Sequence, residues 1–158
     1  ISDLTQPAVA DTLMLSPVDD PENNRWTWSY SEAKYEHKAF QYWGPKEMLA
    51  VPLSTYRWVE SDDGWYYEYV SKAIIVNVDE ATGNMSIHGE VNHSSLLNHE
   101  DVNHYWGGDE NIRRTIFMGD FIYAFSGAGI TVHNLTSMEL TDVVTFDIEF
   151  PKYAYYAD

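Results

Sequence analysis

Ile75-Val76-Asn77-Val78-Asp79 runs through a turn into the alternating stretch from Met85 to Val91, and this hairpin decides the fold. Alternation of apolar and polar residues with a period of two is typical of β-strands, and Gly83 in the turn can adopt a positive φ. Two other parts of the chain, residues 1–15 and 131–148, repeat the same order of short strand, polar turn and second strand. The repetition predicts an all-β fold assembled from similar hairpins.

Shorter strands between these hairpins predict that each hairpin belongs to one blade of a β-propeller. The predicted fold class is all-β, a β-propeller fragment with two complete four-stranded blades plus the outer hairpin of a preceding blade. The chain then divides into residues 1–15 as that outer hairpin, 16–36 as a long loop, 37–93 as a blade, 94–111 as a His- and acid-rich loop, 112–148 as the last blade and 149–158 as a C-terminal tail.

The first complete blade is predicted to contain an interruption at Pro52. Proline cannot donate to a β-ladder, so Pro52 indicates a bulge or an unpaired position in the second strand. Residues 57–65 of this blade, like residues 16–36 and 94–111, are expected to form a long loop, and all three loops emerge on one face. The predicted strands are His37–Trp43, Met48–Tyr56, Tyr66–Val78 and Asn84–His93.

Composition narrows the classes of partner. The chain has 25 acidic and 9 basic residues, which give a formal net charge of −16. Nucleic acid and anionic membranes both require a basic face, so neither is an expected partner. The acidity favours solubility or the binding of cations. The chain has no cysteine, which excludes disulfides, Cys-ligated metals and thiol catalysis, and no apolar run approaches the roughly 20 residues of a membrane span.

Three basic residues are expected at the mouth of the propeller channel. His37, Arg113 and Arg114 begin the predicted inner strands of the two blades. Because side chains alternate along a strand, one arginine should face a pocket, where it can bind a carboxylate or phosphate. The other should be buried and paired with a carboxylate; equally, both can serve only to join neighbouring blades. Exposed aromatics on the same face suit sugar or protein binding, or packing over blade ends. The candidate ligand-binding residues are His37, Arg113, Arg114, Trp58, Trp65 and Trp106.

Histidines and acidic residues suggest two kinds of metal site. Imidazole with carboxylate suits Zn or Cu, although the histidine spacing matches no compact metal motif and strand alternation places His88 and His93 on opposite faces. The acidic loops suit Ca²⁺, but ordinary solvated turns are the favoured interpretation of them. No cofactor is therefore firmly expected; among the candidate ions calcium ranks first, with zinc or copper behind it. The candidate metal ligands are His88, His93, His99, His104, Asp101, Asp19 and Asp20.

Eight short stretches of the chain carry a resemblance to a known family, namely Tyr30–Ala33, Tyr35–Phe40, Leu49–Leu53, Ile87–His93, Ile112–Asp120 and Ile122–Ser126, with Gly129-Ile130 and Asn134-Leu135. In these stretches the chain resembles the secreted bacterial and archaeal proteins with a C-terminal β-propeller distantly related to WD40 repeats. The order and spacing agree across about residues 1–148. The resemblance implies a propeller fold and a secreted, periplasmic or cell-surface location, and it implies no activity. Compared with the whole family pattern, only the last two blades and one preceding hairpin are expected here.

Two functions of different classes remain open at this point. The first is a binding or scaffold module outside the cytoplasm, since the sequence contains no nucleophile elbow, phosphate loop or other catalytic signature. The alternative is a hydrolase or metal-dependent enzyme with its site at the channel mouth, shared with missing blades. In both cases two blades would leave apolar faces exposed, so another chain or segment, most simply the N-terminal remainder of the same propeller, is the expected partner.

Overall fold

The computed structural model describes residues 5–16, 27–61, 64–94, 96 and 111–146, with the backbone alone at residues 57–61 and 65–68. These residues contain nine β-strands, three short 3-10 turns and no α-helix. No helix in this part of the chain is long and apolar enough to cross a membrane. The turns span Glu32–Lys34, His37–Ala39 and Gly44–Lys46. The strands are β1 (Trp28–Tyr30), β2 (Gln41–Trp43), β3 (Met48–Ser61), β4 (Gly64–Val78), β5 (Met85–Asn92), β6 (Arg114–Met118), β7 (Phe121–Phe125), β8 (Gly129–Asn134) and β9 (Leu140–Thr145).

The strands form two antiparallel sheets. The first has the order β1-β3-β4-β5, with β2 also paired to β3, and the second has the order β6-β7-β8-β9. Strand β1 pairs with residues 54–56 of β3 and β2 with residues 48–50, so the two short strands share one edge of β3. Both sheets are therefore four strands wide, which confirms the predicted all-β architecture with two four-stranded units.

Pro52 lies in the gap between β1 and β2. Its pairing with Ala73 of β4 continues without a bulge. Its carbonyl oxygen instead points to the opposite edge, where it accepts a hydrogen bond from Ser31 Oγ at 2.5 Å. Because the N and O atoms of one residue in an antiparallel strand point to the same edge, the missing N–H removes no ladder bond. The alternative of a bulge is therefore wrong: Pro52 is paired on the β4 side, and among the described strands it lacks a partner on the edge that faces β1 and β2.

The predicted start of the first sheet at His37 is wrong. His37 opens a 3-10 turn, because the Glu36 side chain caps this turn by accepting a hydrogen bond from the Lys38 backbone N–H at 3.0 Å. Strand β2 begins only at Gln41. A side chain that bonds its local backbone in this way competes with strand formation.

Two segments expected to be loops contain strands. Strand β1 lies within residues 16–36, and the expected loop at residues 57–65 is a continuation of β3 and β4, paired as far as Ser61 opposite Gly64. Aromatic and β-branched residues at positions 56, 58, 59 and 65–67 favour the extended conformation and explain the longer strands.

The two sheets pack face to face through an apolar core. Ala73 and Ile75 on β4 are two residues apart and so share the face that meets the second sheet. Trp43 extends this contact by stacking on Phe117, with ring centroids 5.5 Å apart. The buried core residues are Ala50, Ala73, Ile75 and Val91 on one side and Ile112, Ile122, Ala124 and Leu135 on the other.

The opposite face of the first sheet is covered by the N-terminal segment. Asp11 fixes this segment by accepting a hydrogen bond from the Met85 backbone N–H at 2.8 Å. Residues 5–16 contain no β-strand, and residues 1–4 of the predicted hairpin lie outside the described residues. The segment occupies the face on which a preceding unit was expected. The apolar contacts join Leu13 and Leu15 to Leu53, Ile74 and Val76.

His93 forms a polar contact within the buried interface. Its Nδ1 lies 2.9 Å from Ser126 Oγ and its Nε2 lies 2.8 Å from Thr131 Oγ1. Since the Ser126 hydroxyl also donates to the Gly129 carbonyl at 3.3 Å, Nδ1–H of His93 is the donor to Ser126 and Nε2 accepts from Thr131. The ring is therefore neutral. Burial, with a smaller contribution from nearby His133, lowers its pKa from 6.5 to about 4.

Acid should weaken this contact between the sheets. The unfolded chain binds a proton on His93 near pH 6.5, whereas in the folded chain its pKa is about 4. The free energy of unfolding should thus fall as the pH drops between these two values, by up to about 3 kcal/mol. Urea unfolding followed by tryptophan fluorescence measures the loss. The H93Q variant keeps a donor and an acceptor but does not titrate, so it should lose less stability; an equal pH dependence in both proteins would contradict this role.

Gly129 allows β9 to approach β8 closely. A Cβ at this position would lie 2.4 Å from the Val144 carbonyl oxygen, a backbone atom that moves only with the strand. The substitution Gly129→Ala should therefore destabilise the protein by about 2 kcal/mol. Gly89→Ala is the matched control, since its Cβ would meet only the flexible Met138 side chain at 2.6 Å. The midpoint temperature of thermal unfolding should be much lower for Gly129→Ala than for Gly89→Ala. The reverse order would show that β9 shifts away from β8 at little cost in stability.

Candidate functional site

A cleft of about 260 Å³ lies where the two sheets meet. Strand β1 and the following turn form one wall, β3 forms the floor, and the segment that leads into β6 forms the other wall. The lining residues are Tyr30, Glu32, Pro52, Ser54, Asn111, Ile112 and Arg113.

Ser31 places Glu32 at the cleft. Its Oγ accepts a hydrogen bond from the Ala33 backbone N–H at 3.3 Å, which caps the 3-10 turn Glu32–Lys34, and it also donates to the Pro52 carbonyl at 2.5 Å. One hydroxyl thus starts the turn and attaches it to the unpaired edge of β3. Serine is a preferred capping residue, so the local sequence explains the wall.

Residues 111–113 connect the two sheets through hydrogen bonds. Asn111 Oδ1 accepts from Ser54 Oγ at 2.7 Å and from the Tyr69 hydroxyl. The Ile112 backbone N–H donates to Ser71 Oγ at 2.9 Å. The next residue turns to the second sheet, where the Arg113 N–H donates to the Phe125 carbonyl at 2.9 Å. This wall of the cleft is therefore held by both sheets.

The cleft presents one cationic and one anionic side chain. In the part of the chain that the structure describes, the Arg113 guanidinium and the Glu32 carboxylate have no ion-pair partner, and they do not pair with each other. Arg113 supplies only hydrogen-bond donors and an ionised Glu32 only acceptors. The cleft therefore has both kinds of group available and no net charge from its side chains.

A row of aromatic rings extends from the cleft. Tyr30, which lines the cleft, stacks on Tyr35 at a centroid distance of 6.0 Å and on Trp28 at 6.1 Å, with interplanar angles of 17° and 14°. Trp28 contacts Tyr56 at 5.8 Å, and Tyr56 contacts Tyr69 at 4.8 Å. The exposed fractions of Tyr35, Trp28 and Tyr30 are 79%, 59% and 38%. Large exposed rings in a continuous row are characteristic of binding surfaces.

The three basic residues predicted at the channel mouth have different surroundings. Arg113 lines the cleft, as expected for one of the two arginines. The Arg114 side chain is 42% exposed rather than buried, and its Nη1 lies 3.9 Å from Glu36 Oε1. The His37 Nδ1 lies 3.5 Å from the same carboxylate oxygen. The Lys38 backbone N–H holds the pKa of Glu36 below its usual value, and Arg114 lowers it further.

Arg114 is therefore not the buried, tightly paired arginine that the sequence predicts. Arg114 lies at the first position of β6, which within the described residues pairs with β7 alone, and its guanidinium lies near Glu36 in the turn before β2. An exposed pair at this distance contributes little to stability, in contrast to a buried one.

The histidines predicted as metal ligands have structural contacts in the sheet interface. The His88 Nε2 donates to the Leu135 carbonyl at 2.5 Å, so both His88 and His93 reach the second sheet. The expectation of opposite faces is wrong, because β4 pairs Ile75 with Gly89 and Val76 with Ile87, which leaves His88 in a bulge. Within the described residues no three His, Asp or Glu side chains are grouped as metal ligands.

Other predicted site residues lie outside the described part of the chain. Trp58 and Trp65 belong to the paired extension of β3 and β4, and only their backbone is described. The metal and ligand predictions for the remaining residues stay predictions. These are Trp106, His99, His104, Asp101, Asp19 and Asp20.

A family model described as a β-propeller domain matches residues 1–138. The chain belongs to the β-propeller domain family. No curated protein and no solved structure gives a significant match. The two four-stranded sheets are accordingly two blades of a propeller, and the cleft lies between adjacent blades.

The sequence pointed to a pocket-facing arginine, and Tyr30 and Trp28 are among the aromatic residues predicted on the same face, but Glu32, Ser54 and Asn111 were missed. Tyr30 and Glu32 lie in a segment interpreted as loop, and Ser54 and Asn111 carry no motif. One signal was present in the sequence: Ser31 followed by Glu32 is a common start of a helical turn. The pairing of this turn with the unpaired edge at Pro52 depends on contacts between distant residues.

Asn111 should be the residue that holds the cleft wall in place. Asn111→Leu leaves the hydroxyl groups of Ser54 and Tyr69 without this acceptor, so we expect a loss of about 2 kcal/mol in the free energy of unfolding. Asn111→Asp keeps the acceptor oxygen and is the matched control. Urea titration of the three proteins tests this expectation, and an unchanged midpoint for Asn111→Leu would show that the wall does not depend on the amide.

Proposed function

We propose that this chain is the C-terminal part of a larger extracytoplasmic propeller, that it acts as a binding and scaffold module, and that another chain or segment completes its ring. The observation that carries the proposal is the exposed apolar face of the last blade. The extracytoplasmic location rests on the sequence resemblance. Fractionation of the source cells checks it, since recovery of the chain with the cytoplasm would contradict that location.

The exposed face is the one that points away from the first blade. Strand register places Ile116, Tyr123 and Val132 side by side on it, with Met118 and Phe121 in the next row. The exposed fractions of Ile116 and Met118 are 41% and 58%. The opposite face of the same sheet is buried against the first blade. Polar residues would be expected on a sheet face that water covers, so this apolar face supports a missing neighbour.

The outward faces of the two blades differ in whether another segment of the chain packs over them. On the first blade, Leu13 and Leu15 pack over Ile74 and Val76. Among the described residues no segment covers Ile116 and Met118 in the same way. Because each blade of a propeller buries both faces against its neighbours, a further blade is the occupant that fits.

The cleft between the blades supports the binding part of the proposal. It holds an arginine and a carboxylate without ion-pair partners in the described chain, and exposed aromatic rings adjoin it. Pockets with a few convergent polar groups beside aromatic side chains are the usual form of ligand sites.

The isolated chain should self-associate or bind a hydrophobic dye through the exposed face. Replacing Ile116 and Val144 with lysine should suppress both effects, because the two side chains share this face and Val144 is 53% exposed. Ser86→Lys, on an exposed position of β5, is the matched control. Light scattering and dye fluorescence are the measurements. A dispersed monomer that binds no dye and has no companion chain would contradict completion of the ring.

A further inference from the structure

We propose that the cleft between the blades binds a neutral sugar unit, and that the adjoining row of Tyr35, Tyr30 and Trp28 extends the site to an oligosaccharide. This inference rests on the proposed binding role and adds the chemical class of the ligand.

The charges in the cleft select against ions. Arg113 and Glu32 both line it, and neither has an ion-pair partner in the described part of the chain. An anionic ligand would meet the Glu32 carboxylate and a cationic ligand the Arg113 guanidinium. A sugar hydroxyl both donates and accepts, so neighbouring hydroxyls can donate to Glu32 and accept from Arg113 without bringing a charge into the cleft.

The neutral polar groups of the cleft fit the same chemistry. The Ser54 hydroxyl and the Asn111 amide are fixed next to each other by a hydrogen bond of 2.7 Å. A second hydroxyl, that of Tyr69, also bonds Asn111 Oδ1 and so holds the amide in one orientation. Rigid polar groups lose little conformational entropy when they bind, and their spacing can match a ring that carries several hydroxyls.

The aromatic row supplies the apolar half of a sugar site. A pyranose ring has faces of C–H groups as well as hydroxyls, and such faces pack on aromatic side chains. Tyr30 belongs to the cleft and to the row, so a chain of sugar units that enters the cleft continues over exposed rings. Each ring buries a large area with few rotatable bonds, which makes it an economical contact for a flexible ligand.

The salt dependence of the affinity distinguishes a neutral sugar from a zwitterionic ligand. A free amino acid can also bridge Arg113 and Glu32, but through two ionic contacts that salt screens. Hydrogen bonds to neutral hydroxyls and packing on rings depend little on ionic strength. Affinity that stays constant between about 50 mM and about 500 mM NaCl is therefore expected for the sugar.

The test uses immobilised chain, sugar hexamers that are matched in size but differ in charge, and a free amino acid as the zwitterion. The neutral probes are the hexasaccharides of cellulose, xylan, mannan and chitin. Hexagalacturonate supplies the anionic arm, the hexamer of chitosan the cationic arm and free phenylalanine the zwitterionic arm. Biolayer interferometry at low and high salt measures binding, and quenching of tryptophan fluorescence reports contact near Trp28. At least one neutral hexasaccharide should bind with an affinity insensitive to salt.

Variants then locate the binding. Arg113→Ala and Glu32→Gln should each lower the affinity for the neutral hexasaccharide by about tenfold, which corresponds to about 1.4 kcal/mol. Tyr35→Ala should weaken the affinity for a hexasaccharide more than the affinity for the corresponding disaccharide, because Tyr35 stacks on Tyr30 beside the cleft and does not itself line the cleft. Lys34→Ala, an exposed change in the same turn, is the control and should leave the affinity unchanged. Circular dichroism and thermal unfolding confirm that each variant is folded.

The outcomes separate this inference from the proposed function. If phenylalanine or a charged hexamer binds and this binding is lost in the Arg113 and Glu32 variants, the ligand is not a neutral sugar. The proposed binding role of the cleft would still stand. If the neutral sugar still binds after both substitutions, it binds elsewhere and the assignment of the cleft as the sugar site is wrong. If no probe binds to the folded chain at millimolar concentration, both the sugar and the binding role of the cleft are wrong, whereas completion of the ring is judged by the dye and light-scattering measurements.

Discussion

Burial of the apolar face between the two blades is the constraint on which the rest of the structure depends. Ala50 and Ala73 bring the first sheet close to Ile122 and Leu135 of the second, and this apolar contact holds the two sheets together. Of the polar side chains on these faces, the His93 ring is satisfied across the interface, whereas Thr115 Oγ1 and His133 Nε2 are buried without a hydrogen-bond partner in the described part of the chain. His93 bonds to Ser126 and Thr131 of the other sheet, which fixes the lateral position of the sheets as well as their contact.

The cleft follows from this packing. Once the sheets meet, residues 111–113 must cross from one to the other, and their backbone groups bond to Ser71 on one side and Phe125 on the other. The crossing leaves the Arg113 side chain facing β1 and its turn. The sheets therefore contribute rigidity, while the charged and aromatic groups stand at the margin where solvent can reach them. This division between a rigid scaffold and a solvent-accessible edge that carries the polar and aromatic groups is common in β proteins.

Strand patterns in the sequence predicted most of the fold, and single side chains explain the failures. The long alternation at Ile75–Val91 predicted the pairing of β4 with β5, and strands β6 to β9 all lie within residues 112–148, the segment predicted as one blade. His37 was misplaced because the Glu36 cap competes locally with strand formation. The bulge at His88 reversed the expected side of that residue, since one extra residue in a strand changes every later orientation.

The sequence by itself determined that the chain is all-β, acidic, free of cysteine and built from repeated four-stranded units, because alternation, composition and turn residues are local properties. It also singled out Arg113. Only the tertiary structure decided that Arg113 shares a cleft with Glu32, Ser54 and Asn111, and that Arg114 lies instead beside Glu36. The physical reason is that these contacts join residues far apart in the chain, through the edge of β3 at Pro52 and the register of two packed sheets, which no local pattern encodes.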